Sequence, residues 1–210
     1  MKLKEVLSGK KEFDQKLFIK HKYISGIDEV GIGCVAGVAT SAIITLDEDC
    51  LYIPEINDSK KLSEKKREYL YDKIIDNCID YKILSHSVKT IDKLGIWGAT
   101  RNLYKHLYKS LNKKPDLLIV DGNDITFETY NINSISECKA DINWYVVGCA
   151  SIIAKVHRDR IMIELSKQYP EYKFENHKGY CTKLHEEIVI KYGRIDGVHR
   201  TSFKFPFEKR

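Results

Sequence analysis

The chain has 210 residues, 43% of them hydrophobic and 31% charged, with a formal net charge of +5. That length suits one domain with a continuous core, and the balance is that of an ordinary soluble globular protein, which excludes disordered and membrane-embedded classes. No run approaches the roughly 20 apolar residues of a membrane span, the lysine-rich first twenty residues lack the apolar segment of a signal peptide, and the 6 scattered cysteines form no C-x-x-C pair, so neither a zinc site nor a disulfide framework is evident and free thiols in a reducing cytoplasm are expected.

An apolar strand beginning at Tyr23-Ile24 runs into Gly26-Ile27-Asp28-Glu29-Val30-Gly31-Ile32-Gly33, two adjacent acids between glycines. Acids are almost never buried without a partner. The stretch reads either as a paired or solvated turn, or as a divalent-metal site whose glycines let a ligand reach the backbone. A second strand is expected over 38–46. A basic cluster follows at Lys60-Lys61 and Lys65-Lys66-Arg67, and Ser63 is placed to cap a helix to about Cys78, with Leu70, Ile74 and Cys78 at four-residue spacing. Alternation predicts a strand over 81–88, and Leu103, Leu107 and Leu111 mark a helix over 98–111. Leu117-Leu118-Ile119-Val120 reads as a buried central strand ending in Asp121-Gly122-Asn123.

A long helix is expected from about Ile142 to Ser166, with Ala150, Ile153, Ala154, His157 and Ile161 on its apolar side and Ser151, Lys155 and Arg158 on its polar side. His157 then reads as a core histidine. A last helix covers about 182–191, and the phenylalanine-rich tail 200–210 is expected to pack down. Strands come first and then alternate with helices, which indicates an α/β fold with a mixed sheet.

Asp121 repeats the pattern of Asp28, an acid at the carboxyl end of a buried strand followed closely by glycine, and ligands of open α/β sheets bind beyond such strand ends. The alternative is that Asp121-Gly122-Asn123 is simply a turn sequence. A fourth acid should come from the long helix, where Asp141 and Asp159 compete; eighteen residues of helix put them about 27 Å apart, so they cannot share a site. Asp159, between Arg158 and Arg160, is explained by ion pairing. Asp141 stands at a helix N-terminus, which favours negative charge, and is preferred over it, with plain capping as the alternative. An acidic site in a basic chain suggests a polyanionic substrate held by cations while carboxylates hold metal.

These segments together resemble bacterial ribonuclease HII. The likeness is carried by Gly26-Ile27-Asp28-Glu29-Val30-Gly31, by Asn57-Asp58-Ser59-Lys60-Lys61-Leu62-Ser63 with Lys65-Lys66-Arg67, and by Val120-Asp121-Gly122-Asn123. It continues through Lys139-Ala140-Asp141, Ala150-Ser151-Ile152-Ile153-Ala154-Lys155-Val156 and Arg158-Asp159-Arg160, then His177-Lys178-Gly179-Tyr180, and closes with Val198-His199-Arg200 and Ser202-Phe203. The resemblance implies an RNase H-like fold, a five-stranded mixed sheet flanked by helices with a helical C-terminal extension. Residues 1–20 would be a lead-in and 21–210 one catalytic domain, its core over about 21–168 and its helical part over about 169–210.

The resemblance also implies an endonuclease that hydrolyses the RNA strand of RNA–DNA hybrids, or of duplex DNA containing ribonucleotides, leaving 5′-phosphate and 3′-hydroxyl ends. Asp28, Glu29, Asp121 and Asp141 would hold two Mg²⁺ or Mn²⁺ ions roughly 4 Å apart. Gly31, Ile32 and Gly33 with Tyr180 would read the ribose 2′-hydroxyl, and Lys60, Lys61 and Lys155, supported by Ser151, would contact phosphates. A monomer without membrane partners is expected. His177 and His199 receive no assignment. The family's Gly-Arg-Gly is here Gly31-Ile32-Gly33, which leaves cleavage at a lone ribonucleotide open and allows hybrid-only specificity like that of ribonuclease HIII; that family's extra N-terminal domain has no counterpart in a twenty-residue lead-in. A resolvase-like nuclease acting on DNA would use the same acids, and a non-catalytic nucleic-acid-binding protein could share the scaffold. An enzyme of phosphorylated metabolites could use the same metal chemistry, but no phosphate-loop motif is visible.

Overall fold

The computed structural model describes residues 2–3, 16–56, 59–122 and 132–209. The expectations for 57, 58 and 123, and for most of the lead-in, lie outside them. Five strands, β1 (Ile24–Val30), β2 (Ala39–Leu46), β3 (Asp80–His86), β4 (Leu117–Asp121) and β5 (Ser134–Glu137), form one mixed sheet in the order β3-β2-β1-β4-β5. β1 runs antiparallel to β2 and parallel to β4, with Ile27 opposite Val120, so the two strands that end in acids lie side by side and finish on the same edge.

The helices are α1 (Glu64–Asn77), α2 (Val88–Leu94), α3 (Ile96–Ser110), α4 (Ala140–Asn143), α5 (Tyr145–Gln168), α6 (Phe174–His177) and α7 (Lys183–Tyr192). Strand side chains alternate between faces. Ile24, Ala42, Ile44 and Ile119 therefore pack under α1 and α5, while Ile27, Ile43, Leu118 and Val120 pack under Leu103, Tyr104 and Leu107 of α3. Ser63 caps α1 by accepting the Lys66 N–H at 3.2 Å. The C-terminal segment builds its own core from Tyr172, Phe174, Ile188 and Phe205 against Val35 and Met162. Among the described residues no helix is long and apolar enough to cross a membrane.

Two expectations need correction. The long helix is two helices: Trp144 is extended, with φ −114° and ψ 123°, and separates α4 from α5. Nor do Ser151, Lys155 and Arg158 form the solvent-facing side of α5: Arg158 is fully buried, Ser151 nearly so and Lys155 partly, while His157, assigned to the apolar side, is only half-buried and the exposed polar residues are Arg160, Glu164, Lys167 and Gln168.

Candidate active site

Asp28 and Glu29 are consecutive on β1, so they leave opposite faces of the sheet. Asp28, buried towards α5, accepts the Glu29 N–H at 2.7 Å and a hydrogen bond from Ser151, whose hydroxyl also meets that of Ser59 at 2.9 Å. Glu29 turns towards α3 and accepts the hydroxyl of the fully buried Tyr104. Asp121, at the end of β4, accepts the Ala140 N–H at 2.8 Å. That bond ties β4 to the first residue of α4, and the next residue is the buried Asp141. The break at Trp144 thus gives Asp141 its own short helix.

The four acids act on one another. Burial holds the Asp28 carboxyl well above its usual range, and the charges of Glu29 and Asp121 push it further. Burial likewise raises Glu29 to about 7 against the stabilising Tyr104 hydrogen bond, with Asp121 and Asp141 adding to the rise and Lys60 opposing it. Among the described residues, no three acidic, histidine or cysteine side chains converge on a common point as metal ligands would.

Beside the acids, the loop after β1 is tied to the turn that carries Tyr180. Val35 N–H reaches Gly179 O at 3.0 Å, and Cys34 and Tyr180 form an antiparallel bridge. Gly31 has φ +91°, and a Cβ there would stand 2.4 Å from Arg158 Nε. Gly33 is different: its φ is ordinary and a Cβ would meet nothing within 4 Å. Arg158 and Arg200, both fully buried, hold this loop by its carbonyls. Arg158 donates to Val38 O at 2.9 Å and Lys178 O at 2.7 Å; Arg200 donates to Gly37 O at 3.0 Å and Ile32 O at 3.2 Å. Pulling the Ile32 carbonyl inward turns the Gly33 N–H, on the far side of the same trans peptide, outward.

The structure therefore groups Asp28, Glu29, Asp121 and Asp141 with Ser151 and Lys60, and places Gly31, Ile32 and Gly33 next to Tyr180. Lys60 and Lys61 face solvent on one 3₁₀ turn. Lys155 is bound to Asp159 at 2.7 Å, and its Nζ lies 5.7 Å from the Tyr180 ring centre. Asp159 also pairs with Arg67 at 3.4 Å, so its ion partners are not the neighbouring arginines. His157 lines a pocket with Tyr71 and Cys78 between α1 and β3. Sequence reasoning missed Ser59, Arg200 and above all Tyr104. The signal for Tyr104 was a tyrosine on a leucine stripe, a position whose hydroxyl needs a partner.

The Ribonuclease HII family model matches residues 25–205. The chain belongs to the ribonuclease HII family. Ribonuclease HII of Mycoplasma mycoides subsp. mycoides SC is 43% identical over 203 residues, covering 96% of each chain. Among solved structures, the ribonuclease H2 from Pyrococcus horikoshii OT3 superposes with a TM-score of 0.71 at 29% identity, over 87% of this chain and 94% of that one. Bst-RNase HIII in complex with Mn²⁺ gives 0.64 at 18% identity, over 86% of this chain and 67% of that one, and shares the fold. This ribonuclease HII family member is thus an enzyme of the ribonuclease H type, an endoribonuclease, and its five-stranded sheet has the RNase H-like fold.

Proposed function

We propose that the enzyme hydrolyses the RNA strand of RNA–DNA hybrids at a site formed by Asp28, Glu29, Asp121 and Asp141, using two divalent ions and leaving 5′-phosphate and 3′-hydroxyl ends. The observation that carries this reading is geometric: β1 and β4 run side by side in parallel, so Asp28, Glu29 and Asp121 share one sheet edge. Asp121 accepts the Ala140 amide one residue before Asp141, while burial and the neighbouring charges raise Asp28 and Glu29. An all-oxygen donor set suits the hard cations Mg²⁺ and Mn²⁺, and the Mn²⁺ complex of Bst-RNase HIII, a protein of the same fold, supports that choice. Such ions supply the positive charge that lets the carboxylates stand ionised together and that stabilises charge on the scissile phosphate.

The other residues orient. Ser151 and the Glu29 amide hold Asp28, and the Ala140 amide holds Asp121. Gly33, which neither its conformation nor its packing requires to be glycine, offers an outward amide to a sugar edge, and the 2′-hydroxyl is what separates RNA from DNA there. Tyr180, 36% exposed beside that loop, is suited to stacking on the neighbouring sugar. Lys60 and Lys61 meet phosphates, which positions a duplex without reading its sequence. With Ile32 in place of a cation, long hybrids are favoured over lone ribonucleotides.

Side-by-side digestion of a long hybrid, a DNA duplex with one ribonucleotide, and an all-DNA duplex, in Mg²⁺ and in Mn²⁺, tests the proposal. The hybrid should be cut and the all-DNA duplex left intact. Asp121→Asn should lower hybrid cleavage by more than about 100-fold, the upper end of what losing a mere supporting partner costs. Equal cleavage of the all-DNA duplex, or a fully active Asp121→Asn enzyme, would overturn it.

A further inference from the structure

We propose that Tyr104 is a positioning residue for Glu29, fixing one carboxylate oxygen so that the other is presented to a divalent ion. The inference rests on the acid-site reading above and concerns a residue of α3, which supplies none of the four acids.

Tyr104 lies on the buried stripe of α3 with Ala99, Leu103 and Leu107, and it is fully buried. A phenol in such a place must find an acceptor. Its hydroxyl donates to Oε2 of Glu29. Two of the three aspartates accept main-chain amides: the Glu29 amide grips Oδ1 of Asp28, which Ser151 also holds, and the Ala140 amide grips Oδ1 of Asp121. Among the described residues, Tyr104 is the hydrogen-bond donor to the Glu29 carboxylate. Glu29 is also the longest side chain of the set and has the most rotamer freedom to lose when an ion orders it. Tyr104 removes part of that freedom in advance, and it does so from the opposite face of the sheet to the one on which Ser151 holds Asp28.

If Tyr104 only filled the core, phenylalanine would serve as well. The test is Mn²⁺ titration of the metal-free protein by calorimetry, for the natural chain, Tyr104→Phe, Glu29→Gln and the double variant, with a thermal melt of each to show that it is folded. Tyr104→Phe should weaken Mn²⁺ binding about tenfold, the lower end of the cost of losing a partner that orients a ligand. The double variant should bind no more weakly than Glu29→Gln alone, because both changes remove the same coupling. At saturating Mn²⁺, Tyr104→Phe should recover hybrid cleavage with its KM for the hybrid unchanged. Should Tyr104→Phe fail to fold, Tyr104→Met, smaller but flexible enough to fill the space and without the hydroxyl, makes the same measurement. Mn²⁺ affinity within twofold of the natural chain, or losses that add in the double variant, would overturn the positioning role. A natural chain that takes up no Mn²⁺ would overturn the acid-site reading itself.

Discussion

At the scale of single residues, neighbours on a strand diverge: Asp28 meets Ser151 on α5, and Glu29 meets Tyr104 on α3. Burial disfavours their charged forms before any neighbour acts, so this corner of the fold is held under electrostatic tension that a cation would relieve. The acids themselves were legible in sequence, because charge at the end of a buried strand is anomalous and glycine follows close by. Tyr104 was not, since one tyrosine among leucines at helical spacing looks like packing. Position 32 is legible in the opposite sense, as an absence of charge. Ile32 is half-buried, with its carbonyl drawn in by Arg200, so its side chain contributes no ionic contact to a sugar or phosphate. Ile32→Arg should therefore raise cleavage at a lone ribonucleotide relative to a long hybrid by about tenfold or more, the worth of one charge-assisted hydrogen bond. Initial rates on the two substrates check this, and an unchanged ratio would show that the side chain at 32 does not govern the preference.

At the scale of elements, α5 can lie close on β1 because Gly26 has no side chain. A Cβ there would stand 2.6 Å from the backbone of Val146 and Val147 at the first turn of α5. Main-chain atoms cannot yield as a flexible side chain does, and the turn they belong to follows directly on α4, which carries Asp141. Gly26→Ala should destabilise the protein by about 1–3 kcal/mol, as overpacking typically does, lowering Tm by several degrees in a thermal melt, and should reduce cleavage further by displacing Asp141 from Asp28. A variant with natural Tm and activity would contradict this close packing.

Which elements were readable follows the strength of their periodic signals. β2, β4, α1 and α3 carry long apolar patterns and were found to within a few residues. β5 is half-buried at all four positions, and α2 has only seven residues, so neither leaves a period to read. The break between α4 and α5 was hidden because Trp144 is an unremarkable helix residue. At the break, Trp144 is tied by its Nε1 to Glu137 at 2.7 Å, and the Ala140 amide that opens α4 is tied to Asp121, tertiary bonds that no local pattern encodes.

At the scale of the whole molecule, the C-terminal segment steadies the loop beside the acids from below. His177, His185 and His199 form a buried cluster whose tautomers the hydrogen bonds define. His177 Nδ1 accepts the Gly179 N–H at 3.2 Å, and its Nε2 donates to Tyr172 O at 2.9 Å. His199 Nδ1 accepts the Ile195 N–H at 2.8 Å, so its Nε2 donates to His185 Nε2 at 3.1 Å, and His185 Nδ1 donates to Tyr180 O at 2.9 Å. All three rings are therefore neutral, and two of them hold the turn that carries Tyr180.

Burial pushes His185 down to about 3 and His199 to about 4, below the ordinary value of 6.5. The unfolded chain then binds protons that the folded one refuses, so the stability from these groups is complete above pH 6.5 and is lost as pH falls towards 4. Glu29, raised from 4.5 to about 7, works in the opposite sense, since it binds a proton more readily when folded. Asp28, also raised, works in the same sense as Glu29, so thermal melts of metal-free Asp28→Asn/Glu29→Gln protein, in which both opposing contributions are gone, should show Tm falling by several degrees between about pH 6.5 and about pH 4.5. A flat Tm over that interval would contradict a neutral histidine cluster.

The same architecture sets the four acids of the proposed site at one sheet edge, above a neutral, carbonyl-bound support. The most direct measurement is anomalous diffraction from crystals soaked in Mn²⁺. Manganese should appear among Asp28, Glu29, Asp121 and Asp141, with each carboxylate contributing an oxygen. Manganese bound elsewhere, or an ion at this edge that leaves Asp141 outside its ligands, would contradict the site.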